Sequence, residues 1–323
     1  MILVTGGAGF IGSVLVRELN KLGRRDIVIV DRLREAFKWK NLAGAKFEEY
    51  IHADDFLSEV HADIHREITI IFHIGACSST TERDVDYLMA NNVDYSKSLF
   101  LLATERGIPF IYASSAATYG AGEQGYVDSH QDLEKLRPLN PYGYSKQLFD
   151  EWVLRQKETP PLWFGLKFFN VFGPNEYHKE EMRSLVHKAY GQILETGKVK
   201  LFKSHKEGFK DGEQLRDFIY VADVVRAMIQ MKDCKSGSGI YNMGTGIARS
   251  FYDLVGNTFT AMGKKVNVEF IDMPESIRNQ YQYFTQAEMK KFNELLPTFK
   301  FMSLEEAVQD YVKNYLMKEN PYY

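Results

Sequence analysis

The stretch Met1-Ile2-Leu3-Val4-Thr5-Gly6-Gly7-Ala8-Gly9-Phe10-Ile11-Gly12, continued as far as Asp31, decides the fold. Met1 to Val4 is an apolar run without polar alternation, the pattern of a strand buried on both faces. Glycines at 6, 9 and 12 follow, and Ser13 to Leu22 then reads as a helix with Val14, Leu15 and Leu19 in one stripe. Asp26 to Val30 is a second apolar strand, closed by Asp31. A unit of this kind binds a dinucleotide: one glycine makes the turn, one lets the backbone approach a pyrophosphate, and one allows close helix–strand packing. The phosphates meet free N–H groups at the positive end of the helix. Asp31, 19 residues after Gly12, stands where an acid reaches the adenosine ribose. Any tight turn can carry glycines; the flanking strand and helix and the spaced acid distinguish this one.

The bulk of the chain is that of an ordinary globular protein, with 323 residues, 45% hydrophobic and 26% charged, enough for one large or two modest domains. A net charge of −3 and the lack of any long basic run argue against a nucleic-acid partner. The two cysteines, Cys77 and Cys234, are too few for a disulfide framework and lack metal-ligand spacing. No metal site is expected. His61 and His65 are four apart but have no third ligand nearby, so a surface helix is the plainer reading. The first residue already enters a core strand, and no apolar run approaches the ~18 residues of a membrane span. A cytosolic protein with no membrane partner is expected.

Arg32 to Lys40 carries four cations against one acid and begins beside Asp31. It reads as a solvated loop or as a clamp for a ribose 2′-phosphate. Asp31 alone favours NAD, since a carboxylate repels phosphate, whereas Arg32 and Lys38 favour NADP. The balance leans to NADP with NAD tolerated. Thr69 to His73 is another buried strand, followed by the small-residue turn Ile74-Gly75-Ala76-Cys77-Ser78-Ser79-Thr80-Thr81, where an open α/β sheet holds its ligand. Cys77 has no activating partner and reads as a small buried filler. Asn91 and Asn92 fall in the next helix, which runs to about Arg106; Pro109 to Ala113 is a strand, and Ser114 to Gly120 a serine-bearing turn. Strands alternating with helices predict an α/β fold with a doubly wound parallel sheet.

The chemistry gathers at Pro141-Tyr142-Gly143-Tyr144-Ser145-Lys146, the opening of an amphipathic helix that continues through Leu148, Phe149, Trp152 and Val153. Tyr142 and Lys146 are four apart and share a face. A phenol with a free pKa near 10 is a poor base at neutral pH. An ammonium ~4 Å away at an effective dielectric of ~20 is worth ~4 kcal/mol, about three pKa units. So assisted, the tyrosine can take a hydroxyl proton while a hydride leaves for the cofactor.

With these pieces in hand, the chain resembles the extended short-chain dehydrogenase/reductase family. The resemblance rests on Thr5 to Gly12, the serine turn at 114–120 and Tyr142-x-x-x-Lys146, and it covers essentially the whole chain. It implies a Rossmann-type domain over 1–172 with a returning segment near 217–247, and a smaller, mainly substrate-binding domain over 173–323. It implies that Ser115 holds the reacting hydroxyl, Tyr142 is the acid/base, and Lys146 binds the nicotinamide ribose and tunes Tyr142. It implies cofactor contacts at Gly6, Gly9, Phe10, Ile11, Gly12, Asp31, Arg32, Lys38, Ile74, Gly75, Ala76, Cys77, Ser78, Asn91, Lys146 and Val171. Family dehydratases carry an Asp-Glu pair where this chain has Ala116 and Ala117, which speaks against elimination. Lys179, just past the exit strand Lys167 to Pro174, is expected to face the cleft opposite Tyr142 as a second base. Together with Gly75 to Thr81 and Tyr281 to Ala287, it resembles the branch that epimerises carbon 6 of an ADP-linked heptose for lipopolysaccharide core precursors. The expected route is oxidation at that carbon, rotation of the ketone, and re-reduction from the other face.

By the same resemblance the substrate side comprises Ser79, Asn170, Glu181, His187, Lys188, Phe202, Lys203, Ser204, His205, Arg216 and Tyr281, with a helix from Lys179 to Thr196 as a wall of the cleft. Five of these have a plainer alternative: Phe202 and Tyr281 as core aromatics, Lys203 and His205 as solvated side chains, Arg216 as the partner of Asp217. The chain departs from the pattern at Glu181, at His187 and Lys188, in the charged segment Lys203 to Gln214, and at Ala53, which replaces a cofactor-side lysine. A ring-like homo-oligomer, a pentamer in some relatives, is implied. A sugar-nucleotide 4-epimerase needing Tyr142 but not Lys179 is the alternative enzyme, and a non-catalytic NADP-binding regulator the alternative of another class.

Overall fold

The computed structural model describes residues 1–34, 37–61, 67–278 and 281–323, and of residues 59–61, 276 and 277 the backbone alone. Its strands are β1 (Ile2–Thr5), β2 (Ile27–Asp31), β3 (Glu49–His52), β4 (Ile70–His73), β5 (Phe110–Ser115), β6 (Trp163–Phe168), β7 (Asn170–Phe172), β8 (Val199–Phe202), β9 (Leu215–Tyr220), β10 (Gly239–Met243), β11 (Ala248–Ser250) and β12 (Val268–Ile271). Its α-helices are α1 (Phe10–Lys21), α2 (Ala53–His61), α3 (Val85–Leu88), α4 (Tyr95–Glu105), α5 (Pro141–Leu154), α6 (Leu185–Thr196), α7 (Val221–Met231), α8 (Phe251–Ala261), α9 (Glu275–Arg278), α10 (Lys290–Leu295) and α11 (Leu304–Tyr311).

β1 is buried at every position because it sits in the middle of a sheet covered on both faces. Seven parallel strands form that sheet in the order β10-β6-β5-β4-β1-β2-β3. The order reverses between β1 and β4, and a ligand crevice opens outside the carboxyl ends of strands at such a switch. Right-handed crossovers then put α1, which joins β1 to β2, and α5, which joins β5 to β6, on opposite faces of the sheet.

The chain leaves this sheet after β6. β7, β9 and β11 form a three-stranded sheet, and β8 pairs with β12 in parallel. Helices α6 and α8 close a second, smaller core over that pair, built from Ala189, Ile193, Val199, Leu201, Val255 and Phe259. β10 returns to the main sheet beside β6.

Three boundaries differ from the sequence reading. α1 begins at Phe10, not Ser13, so Gly12 lies inside the helix. Asn91 and Asn92 sit in a π-helical turn, Met89–Asp94, between α3 and α4. Lys179 does not open a helix: a 3-10 turn, Tyr177–Met182, is broken at Glu180 (φ 48°), and α6 starts only after Ser184, whose Oγ accepts from the His187 amide. Serine is a strong N-cap because its oxygen satisfies one of the helix's open N–H groups.

Candidate active site

The glycines fix how closely the first two loops approach. Gly6 has φ 68°, and a Cβ there would stand 2.6 Å from the Gly75 backbone; at Gly12 a Cβ would stand 2.2 Å from the Gly6 carbonyl oxygen. Only bare backbone lets α1 begin this close to β1. Gly9 is the N-cap and offers no side-chain cap, so the first-turn N–H groups of Phe10, Ile11 and Gly12 point outward with the positive end of the helix. A cradle that any side chain would fill, at a helix N-terminus, fits a dinucleotide pyrophosphate.

Asp31 ends β2 and is held by the Ala8 amide (2.9 Å), the Arg32 amide (2.6 Å) and the Lys38 ammonium (2.5 Å). Arg32, expected as part of a phosphate clamp, bonds Asp54 and the Asn91 Oδ1 (2.8 Å) instead. An acid one residue past Ala53 thus engages the arginine, and the cationic excess at this end of the groove is smaller than the sequence suggests. His61's side chain and all of His65 lie outside the described residues.

The turn after β4 is tied to the turn after β1 by Thr5, whose hydroxyl accepts from the Gly75 amide (3.1 Å) and whose carbonyl accepts from the Ile74 amide (3.2 Å). Cys77 is held from both sides by Asn92, which accepts from its amide (2.8 Å) and donates to its carbonyl (3.0 Å). Cys77 is half-buried, not a core filler. Ala76 and Ser78 flank it in the same turn, and Ser79 bonds Thr81 (3.0 Å) at the exposed rim. Val171 is half-buried and Asn170 exposed on β7.

Asn140 caps α5 by accepting from the Gly143 amide (2.8 Å), with Pro141 in the first turn. A Cβ at Gly143 would meet the Ala117 oxygen at 2.7 Å, so this glycine lets α5 lie on the serine turn. Ser115 ends β5; its hydroxyl accepts from the Ala117 amide (3.1 Å) and lies near enough to the Tyr142 phenol to act on its pKa. Burial pushes the Tyr142 pKa above its usual value, and the neighbouring Ser115 hydroxyl works the other way. Lys146 is buried, which brings its pKa down to about 8, and its ammonium donates to the Ala113 carbonyl (2.9 Å). The expectation that Lys146 drags the phenol down by some three units is therefore not what this arrangement gives; desolvation dominates both groups.

Beneath them lies a network the sequence reading missed. Asp150 accepts from Tyr112 (2.9 Å), Ser114 (2.6 Å) and Lys167 (2.8 Å), and Lys167 also donates to Thr118 (2.7 Å). Asp150 and Lys167 are wholly buried. Tyr142, Lys146 and Asp150 recur every four residues along one helix face, and that spacing was the available signal.

Lys179 lies on the α1 side of the cleft, its ammonium 5.6 Å from the centre of the Phe10 ring. Burial lowers its pKa, and Glu176 partly opposes this. Tyr142 arrives from α5, on the other face of the sheet.

Farther out, Arg216 is buried between the rings of Phe251 and Tyr281, each 5.4 Å away, and Phe202 packs edge-on to Tyr281 at 6.2 Å. Its guanidinium donates to the carbonyls of Leu215 and Gln282 and is not paired with Asp217, which accepts from Thr245, Gly246 and Ala287. Gln282 in turn donates to the Gly120 carbonyl, joining this cationic–aromatic box to the serine turn. The remaining expected substrate contacts are less convergent. Lys203 pairs with Asp272, Ser204 bonds within its own loop, and His205 is fixed by Tyr283 and Met273. Glu181 is exposed and pairs with Lys188, while His187 packs on Tyr177.

This chain belongs to the NAD dependent epimerase/dehydratase family, whose profile matches residues 2–244. Among its relatives are the ADP-L-glycero-D-manno-heptose-6-epimerase of Fusobacterium nucleatum, 52% identical over the whole of both chains, and that of Alkalilimnicola ehrlichii, 44% identical over 97% of this chain and 96% of that one. The crystal structure of the Helicobacter pylori ADP-L-glycero-D-manno-heptose-6-epimerase superposes with a TM-score of 0.82 at 31% identity, covering 97% of this chain and 95% of that one.

Proposed function

We propose that this chain inverts carbon 6 of ADP-glycero-manno-heptose, using tightly bound NADP, in the supply of lipopolysaccharide core precursors. The reading is supported by Tyr142 on α5 and Lys179 beside Phe10 of α1, helices on opposite faces of the sheet, and by a loop shaped for a dinucleotide. When bound, the nicotinamide supplies a hydride acceptor and donor. Ser115 holds the substrate oxygen, and Tyr142 takes the hydroxyl proton as the carbon is oxidised. The carbon lies outside the sugar ring, so the planar ketone can turn about a single bond and present its other face. Lys179 then returns a proton to the oxygen in the new orientation. Lys146 holds the nicotinamide ribose. Arg216, between two aromatic rings, suits the diphosphate because its fork pairs two oxygens. Residues 173–323 supply most of the substrate's contacts, as the identity to heptose epimerases along the full length supports.

NADP is favoured over NAD because Lys38 and Arg32 both converge on the end of β2, and either can exchange a carboxylate partner for a 2′-phosphate. Titration with each dinucleotide tests this: NADP is expected to bind more tightly, and Lys38→Ala to narrow the difference. The function itself is tested by incubating purified protein with ADP- and UDP-sugars and resolving the epimers. Interconversion of the two ADP-heptose epimers is expected. Inversion at carbon 4 of a UDP-sugar would replace this reading with that of a 4-epimerase, and cofactor binding without any turnover with that of a regulator.

A further inference from the structure

The turn that carries Lys179 is bent in two places where side chains resist bending. Asn175 and Glu180 both have positive φ, 72° and 48°, although neither is glycine. Such conformations persist only where surrounding contacts over-determine them. Four contacts to residues 175–177 of this turn come from one distant part of the chain. Asn175, wholly buried, accepts from the Tyr323 amide (2.9 Å) through Oδ1 and donates to Ser13 on α1 (2.9 Å) through Nδ2. Tyr177 donates its hydroxyl to the Pro321 carbonyl (2.5 Å) and packs edge-on to Tyr322. Buried Glu176 accepts from the Tyr311 hydroxyl (2.9 Å) and from the Ser184 amide and hydroxyl (both 2.6 Å). Tyr323 stacks on Tyr315 and bonds Glu18 on α1 (2.5 Å), so the strap is itself anchored to the helix that opens the cofactor groove.

We infer that Tyr311 and Pro321–Tyr323 are positioning residues: they strap the Asn175–Lys179 turn onto α1 and so set the height of the Lys179 ammonium over Phe10. The strap touches neither the Ser115–Tyr142 pair nor Asp31. Its loss therefore acts on one side of the cleft only. This rests on the reading of Lys179 as the second base, and the test separates the two. Each epimer's first proton goes to a different base, so the two epimers report on the two sides independently.

The experiment compares three variants of the full-length holoenzyme with wild type: Tyr177→Phe/Tyr311→Phe, which removes two hydroxyls and no ring; Asn175→Gly, which keeps the positive φ and drops both side-chain bonds; and Lys179→Met. Purified protein with bound cofactor is mixed with each ADP-heptose epimer, and the initial rate of nicotinamide reduction is followed by absorbance, with cofactor retention measured alongside. In the two strap variants cofactor retention and the rate with the epimer served by Tyr142 are expected to stay within about twofold of wild type. The rate with the other epimer is expected to fall by about 100-fold, the cost of an ångström of misplacement, with KM little changed. Equal rates with both epimers, whether both as wild type or both equally reduced, would overturn the strap while leaving an inactive Lys179→Met variant as evidence for the second base. Full epimerisation by Lys179→Met would overturn the second base and the strap together.

Discussion

In the proposed mechanism Tyr142 exchanges a proton from a half-buried position where desolvation raises its pKa and the neighbouring Ser115 favours the ionised form. A positioned acid/base contributes about 10²–10⁴-fold, so Tyr142→Phe is expected to lower the epimerisation rate by that factor without loss of bound cofactor, measured by epimer-resolved chromatography and cofactor absorbance. Lys146 supplies a second prediction. Its pKa falls from 10.5 in the open chain to about 8 in the fold, because burial penalises the ammonium. Between those values the unfolded chain binds the extra proton, so raising the pH favours the fold. Wild type is expected to gain on Lys146→Met by about 3 kcal/mol between pH 8 and 10.5, in urea midpoints measured across that range. Tyr142, Lys146 and Ser115 were legible from spacing and resemblance because their types and intervals are local. What Lys146 touches was not: its bond to the Ala113 carbonyl is a contact between a helix and a strand 33 residues earlier. Arg32's carboxylate partner was hidden for the same reason, since Asp54 reaches it only once β2 and β3 are paired.

At the scale of elements, α1 shows where reading ended. Its apolar stripe marked the helix, but the start moved to Phe10 because Gly12 has to lie against the Gly6 carbonyl within the first turn. Gly12→Ala is therefore expected to push α1 off the loop, costing about 1–3 kcal/mol in urea stability and most of the dinucleotide affinity by titration. α5 carries the other lesson. Asp150, two turns below Tyr142, was passed over because its partner Lys167 comes from β6, and pairing across a sheet leaves no local pattern. Asp150→Asn leaves Lys167 buried without its counter-charge, and breaking such a pair costs about 3–5 kcal/mol. Since Ser114 and Thr118 hang on the same pair, kcat is expected to drop more than KM rises. Asp150→Asn/Lys167→Met should recover part of the stability. The segment after β7 was read as helix and proved to be a bent turn, because its shape is imposed by Tyr311 and Tyr323 from the far end of the sequence.

Across the whole molecule, one buried histidine joins the two halves of the cofactor crevice. His73 stands between Thr5 (2.7 Å) and Ser96 (2.8 Å), and Ser96 donates to the Asn92 carbonyl, so the neutral ring satisfies both neighbours. Burial brings its pKa down from 6.5 to about 3. The unfolded chain takes up the proton first on acidification, so stability present above pH 6.5 is lost as the pH falls toward 3, by about 4–5 kcal/mol. Against His73→Gln, the wild-type urea midpoint is expected to fall more steeply over that interval. The parallel, doubly wound sheet followed from alternating strands and helices; its strand order and the second core over β8 and β12 did not, because they join segments far apart in sequence. That two-sided frame exists, in this account, to take a hydride from carbon 6 of the heptose and give it back on the other face. The most direct test supplies ADP-heptose carrying deuterium at carbon 6, in ordinary water. The account predicts an inverted product that keeps the deuterium at carbon 6. Inversion with the label lost to solvent would contradict it, since the carbon would then have surrendered a proton and not a hydride.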